Sequence, residues 1–274
     1  MTANYKFTLL LLFIGLSAFA DTVELSTDFS HKNITAQSSL LLKDTDNIDA
    51  VMFNTDFEPI TNYYFNKGTV RSIYWAKIKL RSSVAQKIYL EYVQPHTNRI
   101  QFFIEKKDTT EISPIFGDYF PFKKRPYAHR NMVMPIELAA NELTTIYIMI
   151  DKRNESLNGS FIVWEEDVFE KNEPNRIGFY GLVLGWHFIY FLWVLVFWLV
   201  LRKRMLGFYA LFIGCTLLYS LNNTGLGLQY LWNDWTGKYA SLWFQMTIFL
   251  MKNYIKSVTA LSEPMLGWTA LGLY

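Results

Sequence analysis

The stretch Phe122-Lys123-Lys124-Arg125-Pro126-Tyr127-Ala128-His129-Arg130 gathers four permanent cations and a histidine, with aromatic rings between them. Arginine offers planar donor forks to carboxylates, and aromatic faces stack on sugars or on guanidinium groups. Two readings follow. The segment is a loop that takes an anionic or saccharide ligand through Arg125, His129 and Arg130, or it is a loop whose Arg125 and Arg130 tie down neighbouring strands. A second candidate lies at Ile73 to Arg81, where Trp75, Lys77, Lys79 and Arg81 share one face of an alternating segment. Trp75 with Lys77 would make a sugar-binding platform; the alternative is a tryptophan that covers core.

Other reactive groups carry less. His187 sits in an uncharged apolar run, where an ionisable side chain is a functional candidate and a neutral hydrogen bond between helices is the simpler role. Cys215, the one cysteine, reads as a small apolar residue, and it excludes a disulfide scaffold and a cysteine zinc site. Asp44-x-Asp46-x-x-Asp49 lacks the glycine and terminal glutamate of a calcium loop. Glu165-Glu166-Asp167 and Glu170 lie together beside an apolar span, with no sign of two acids facing across a cleft. The sequence holds no nucleophile elbow, zinc-protease helix, phosphate loop or dinucleotide fingerprint. No catalytic residue, metal site or cofactor is expected, and the chain is read as a non-enzyme.

The elements that must hold these residues fall into two materials. From Asp21 to Asn175 the net charge is −4; from Arg176 to Tyr274 it is +5. In the first part apolar residues recur every second position. Tyr74, Ala76, Ile78 and Leu80 alternate, as do Ile88, Leu90 and Tyr92, then Ile100, Phe102 and Ile104. Asn131 to Leu138, Thr144 to Ile150 and Ser160 to Trp164 add further short runs, with turn residues such as Gln94-Pro95-His96-Thr97 between them. Short strands at spacings near ten residues predict an all-β sandwich or jelly roll.

The second part predicts membrane helices. Ile177 to Leu201 is free of charge and long enough to span. Arg202-Lys203-Arg204 follows and marks the cytoplasmic side. Met205 to Leu221 returns, Tyr239 to Ile255 forms a third span, and Leu266 to Tyr274 reads as the start of a fourth. At the other end, Lys6, the apolar run Phe7 to Phe19 and Ala18-Phe19-Ala20 form a signal peptide pattern. The expected organisation is therefore a signal peptide over 1–20, an exported domain over 21–175, and helices over 176–274 at 177–201, 205–221, 239–255 and, in part, 266–274. Export without disulfides fits a bacterial periplasm.

Several residue groups also carry a likeness. Gly68 and Tyr74-Trp75-Ala76-Lys77, then Gly117-Asp118, Pro121-Phe122, Arg125-Pro126, His129-Arg130-Asn131 and Pro135-Ile136-Glu137-Leu138, resemble the type-2 jelly-roll extracellular domain of the bacterial 7TMR-DISM receptors, seven-transmembrane receptors with diverse intracellular signalling modules. Gly178-Phe179-Tyr180-Gly181 resembles the opening of that family's first helix, and Gly225 to Trp232 the loop after its second. Lys77 stands where the family usually has arginine, and Tyr190-Phe191 where it often has Tyr-Asn.

The resemblance implies a sensor in the bacterial inner membrane, multi-pass, with a periplasmic domain similar to carbohydrate-binding jelly rolls. It also implies an output module such as a diguanylate cyclase, histidine kinase or phosphatase beyond this chain. The expected partners are a small saccharide or anionic ligand, the lipid bilayer and a second copy in a homodimer, with no nucleic acid. The rival reading is a membrane-tethered carbohydrate-binding or adhesion module without a signalling role.

Overall fold

A computed structural model describes residues 22–107, 109–231 and Lys252. The signal peptide and the third and fourth spans lie outside the described residues. Strands come first: β1 Val23–Leu25, β2 His31–Asn33, β3 Ser39–Leu42, β4 Glu58–Pro59, β5 Phe65–Thr69, β6 Tyr74–Ser82, β7 Gln86–Tyr92, β8 Arg99–Glu105, β9 Thr110–Ile112, β10 Met132–Leu138, β11 Leu143–Asp151, β12 Ser156–Gly159 and β13 Phe161–Glu165. A single turn, α1 Asp49–Met52, interrupts them; α2 Glu166–Leu201, α3 Arg204–Asn223 and α4 Leu226–Tyr230 follow.

The larger sheet runs β4-β3-β6-β11-β8-β9, with β1 parallel to the end of β6; the smaller runs β10-β7-β13-β2; β12 and β5 pair separately. Alternation fixes the register. Ala76, Ile78 and Leu80 of β6 stand opposite Ile148, Ile146 and Thr144 of β11, and Ile146, Ile148 and Ile150 stand opposite Ile104, Phe102 and Ile100 of β8. Those faces meet Ile88, Leu90, Tyr92, Phe161 and Val163 of the smaller sheet in one buried apolar cluster. A one-residue slip would turn each strand's apolar set outward. Full burial of each such side chain contributes roughly 1.5–3 kcal/mol.

The other face of β6 differs from the expected basic surface. Trp75 is fully buried, packed with Leu41, Val51, Ile73, Phe103, Tyr147 and Met149 in a second cluster. Residues 43–57, with α1 inside them, supply Val51 and the flanking Ile48, Met52 and Phe57 over that face. The indole N–H of Trp75 donates to the Thr45 carbonyl at 3.0 Å.

Helix α2 begins directly at the end of β13 and is 36 residues long, which at 1.5 Å per residue is about 54 Å. A bilayer core of about 30 Å cannot hold all of it. Its charged residues, Glu166 to Arg176, form the first turns, and Ile177 to Leu201 is free of charge. Phe179, Leu182, Trp186, Trp193 and Val200 are well exposed along that run. In water so wide an apolar face would be costly; in hydrocarbon it is the expected surface. Arg202, in the left-handed region at φ 51°, ends the helix, and α3 starts at Arg204. So short a link forces α3 back antiparallel. Gly207 and Gly214 allow the close approach: a Cβ on Gly207 would fall 2.6 Å from the Trp198 indole, and one on Gly214 would fall 3.1 Å from the Phe191 ring. His187 Nε2 lies 3.2 Å from Thr216 Oγ1, a hydrogen bond between α2 and α3.

Candidate functional site

The outer face of the smaller sheet is not solvated. On β7 the residues between the core positions are Lys87, Tyr89 and Glu91, and the first turns of α2 lie over them. Phe169 of α2, 1% exposed, sits in a socket of rings. Its centroid is 4.9 Å from Tyr89, 5.6 Å from Tyr127, 5.3 Å from His129 and 5.9 Å from Trp164. Tyr89 hydroxyl donates to Glu166 and Glu170, at 3.3 and 3.2 Å. Lys87 pairs with Glu166.

One turn further along, Glu91 is fully buried and surrounded by donors. It accepts from Asn131 Nδ2 at 2.5 Å, Trp164 Nε1 at 2.8 Å and Arg176 Nη2 at 2.9 Å. Burial by itself would raise the Glu91 pKa; the hydrogen bonds and charge of Arg176, helped by His129 and Asn131, outweigh it and hold the carboxyl below its ordinary value. Arg176 also lies over the Trp164 ring and reaches Glu173 at 3.3 Å.

Glu173 faces the cationic segment. His129 Nε2 is 2.8 Å from Glu173 Oε1, and Arg130 Nε is 3.9 Å away. The backbone N–H of Asn131 donates to His129 Nδ1 at 3.0 Å, while His129 Nε2 and the Glu173 oxygens stand within ion-pair distance without forming a hydrogen bond. The Arg130 guanidinium stacks on the Tyr180 ring of α2 at 4.3 Å. Arg125 donates from Nη1 to the His129 and Arg130 carbonyls, at 2.8 and 2.7 Å, and its Nη2 lies 3.5 Å from Asp118 Oδ1.

A second arm of this joint reaches α3. His96 Nδ1 lies 3.0 Å from Asp118 Oδ2, and His96 Nε2 lies 2.8 Å from the carbonyl of Asn222 in the last turn of α3. Gly225, at φ +75°, follows; a Cβ there would lie 2.7 Å from Pro95 and 3.2 Å from Arg130. Residues 91, 95, 96, 129 and 130 of the strand domain, all but the first in loops, therefore grip residues 173, 176, 180 and 222 of the helices and 225 of the turn after α3.

The five residues expected to contact a ligand fall in two places. Arg125, His129 and Arg130 come together, all buried; Arg125 Nη1 is bonded to two carbonyls, while Arg125 Nε and Nη2, His129 Nε2 and Arg130 Nε make no hydrogen bond among the described residues. Trp75 and Lys77 lie on the larger sheet, where Lys77 Nζ sits over the Phe57 and Tyr147 rings at 5.3 and 5.1 Å. Burial lowers the Lys77 pKa, and Lys79 adds to the effect. No face of Trp75 is open to stack on a sugar. An open cleft of about 380 Å³ lies elsewhere, at the β3–β4 edge, lined by Lys43, Asn54, Asp56, Glu58, Lys67 and Tyr74. Among the described residues, no three His, Cys, Asp or Glu side chains are arranged to hold a metal ion.

Glu91, His96, Glu173 and Arg176 were not singled out from the sequence. His96 lies inside turn material, and Glu173 follows the acidic run Glu165 to Glu170 without a pattern of its own. The one available signal was Glu91, a carboxylate between strand residues of an apolar run.

Two family models match the chain. Residues 38–165 match the 7TMR-DISM extracellular 2 domain, and residues 176–273 match the 7TM diverse intracellular signalling region. No curated protein matches it. Both models describe receptor input regions, and an extracellular domain followed by apolar helices makes this a membrane protein with its N-terminal domain outside. Residues 166–175, between the two matches, are the turns of α2 that carry Glu166, Phe169, Glu170 and Glu173.

Proposed function

The chain belongs to the 7TMR-DISM family, and on that premise we propose that it is the input half of a bacterial transmembrane signalling receptor. In this reading a periplasmic domain of jelly-roll type senses a small saccharide-like or anionic molecule and passes its state to a multi-pass helical region in the inner membrane. The observation that supports signalling over simple tethering is the joint. A tether needs only a linker, yet here Glu91 is fully buried against Arg176. A buried ion pair is strongly destabilised when one partner moves away, so sheet and helix shift together or not at all. The ligand is read as entering the open cleft lined by Lys43, Asn54, Asp56, Glu58, Lys67 and Tyr74. Arg125, His129 and Arg130 then respond through the joint without touching the ligand.

The test is a thermal-shift screen of the chain in lipid nanodiscs against sugars, uronic acids and dicarboxylates. Any hit is followed by hydrogen–deuterium exchange. A sensor changes the exchange of residues 166–180 on binding. A ligand that stabilises the sheets and leaves those residues unchanged supports the adhesion reading and ends this one.

A further inference from the structure

His96 faces two acceptors at once. Nε2 meets the Asn222 carbonyl oxygen at 2.8 Å, and Nδ1 meets the Asp118 carboxylate at 3.0 Å. A carbonyl has only lone pairs to offer, and so has an ionised carboxylate. A neutral imidazole has one N–H and can serve only one of them. Both contacts are satisfied together only when both ring nitrogens carry protons, as in the imidazolium. The other Asp118 oxygen lies 3.5 Å from Arg125 Nη2, an ion-pair contact without a hydrogen bond, so a positive charge flanks the carboxylate on its far side as well.

We propose that His96 is a proton-operated latch between the extracellular domain and the second apolar helix, closed when the ring is charged and open when it is neutral. The geometry makes it a latch, because Asn222 is in the last turn of α3 and Asp118 is in the loop that carries Arg125. Among the described residues, the ring is the one side chain that hydrogen-bonds both. Its side chain is 23% exposed, so protons reach it without unfolding.

The surroundings set the sign. Lys152 donates to the His96 carbonyl and pairs at 3.8 Å with Glu155. Burial and the Lys152 charge oppose the imidazolium; Asp118 and the Asn222 carbonyl favour it and prevail, so the pKa is raised above 6.5. A group with a raised folded pKa contributes its full stabilisation below the unfolded value and loses it as pH rises through the folded one. The latch is therefore closed at acidic pH and released as pH rises through the raised His96 value.

The experiment is hydrogen–deuterium exchange of the 274-residue chain in nanodiscs from pH 5.5 to 8.5, corrected for intrinsic rates. Protection of residues 222–231 should fall as pH rises, severalfold or more across that range. His96→Gln, which carries no charge at any pH, should give a flat profile. Asp118→Asn should keep the protection and lose its pH dependence, because the amide offers a donor to Nδ1 and the neutral ring still donates to Asn222. A flat wild-type profile overturns the proposal. So does an unchanged slope in His96→Gln, or protection that increases with pH.

Discussion

Arg176, in the third turn of α2, places Nη2 2.9 Å from Oε1 of Glu91, a carboxylate near the end of β7 that solvent does not reach. Eighty-five positions separate them, so the contact joins the exported sheets to the first membrane helix. Its energetics decide how the two move. Removing one member of a buried pair leaves the other uncompensated and costs about 3–5 kcal/mol. Arg176 is 24% exposed, so solvent recovers part of that. Glu91→Gln is expected to lower the stability of the sheets by about 2–3 kcal/mol, read as a shift in the urea midpoint of tryptophan fluorescence. The double variant Glu91→Gln/Arg176→Met should cost less than the sum of the single changes. Strict additivity would mean that the pair does not couple the two elements.

The same carboxylate gives a pH dependence of opposite sign to that of His96. Glu91 is held below its ordinary value of 4.5. A depressed group contributes stability above its unfolded pKa and loses it as pH falls through the lower folded one. The Glu91 contact should therefore be constant at neutral pH and weaken only in acid, below about 4.5. A melting-temperature profile taken from pH 7 to pH 3 should decline for the wild-type chain and be flatter for Glu91→Gln. Equal slopes would assign acid sensitivity to other carboxylates, Asp151 with Arg99 and Arg153 first among them.

Much of this architecture is legible in the sequence. Ile88, Leu90 and Tyr92 announce a core face by their spacing, and Ile177 to Leu201 announces a span by its length. The joint is not legible. Period-2 alternation says which face of β7 is buried under the other sheet and assigns the opposite face to water. Glu91 looks like a solvated residue until α2 is laid across it. Trp75 is hidden for the same reason: Asp44 to Asp49 reads as a polar turn, yet residues 43–57 contribute Ile48, Val51, Met52 and Phe57 to a second cluster.

Trp75 offers a direct test of that cluster. Cutting a fully buried tryptophan to alanine costs about 3–5 kcal/mol. Trp75→Ala should lower the urea midpoint accordingly, and Lys77→Ala, on a half-exposed side chain, should move it by less than about 1 kcal/mol. A Trp75→Ala chain of wild-type stability that no longer binds a saccharide would return Trp75 to the role of a stacking surface.

Arg125 distinguishes a structural loop from a ligand contact. Its Nη1 closes the loop onto two carbonyls, of His129 and Arg130. Loss of those bonds leaves buried carbonyls unpaired, at about 1–3 kcal/mol each. Arg125→Ala should therefore destabilise the sheets without any ligand present, measured by the same denaturation. Arg125→Lys should recover only part, since an ammonium lacks the planar fork. An unaltered midpoint for Arg125→Ala would favour a binding role.

Orientation follows from Arg202, Lys203 and Arg204 in the turn between α2 and α3. Positive charge beside a span is retained in the cytoplasm, so that turn lies inside and the Glu91–Arg176 joint outside. Alkaline phosphatase fused after Asn175 should be active and β-galactosidase inactive; after Arg204 the pattern should reverse. Phosphatase activity confined to the Arg204 fusion would invert the molecule.

Gly225 supplies the sharpest single-atom test of the contact between sheets and helices. It is the second of the two residues between α3 and α4, at φ +75°, where a side chain adds strain of about 1 kcal/mol by conformation alone. Space is the larger objection. A methyl would stand 2.7 Å from Pro95 Cβ, 3.2 Å from Arg130 Cβ and 3.2 Å from the Arg130 carbonyl. Pro95 is a ring next to His96, and Arg130 is held by Tyr180 and Glu173, so neither yields freely. Gly225→Ala should push the end of α3 away from the sheets and stretch the His96 to Asn222 contact. Exchange should rise in residues 94–98 and 222–231 together, while the cores around Ile78 and Ile148 stay protected. A rise confined to residues 222–231 would show that the two elements are not in register. No change in either segment would place Gly225 outside the contact altogether.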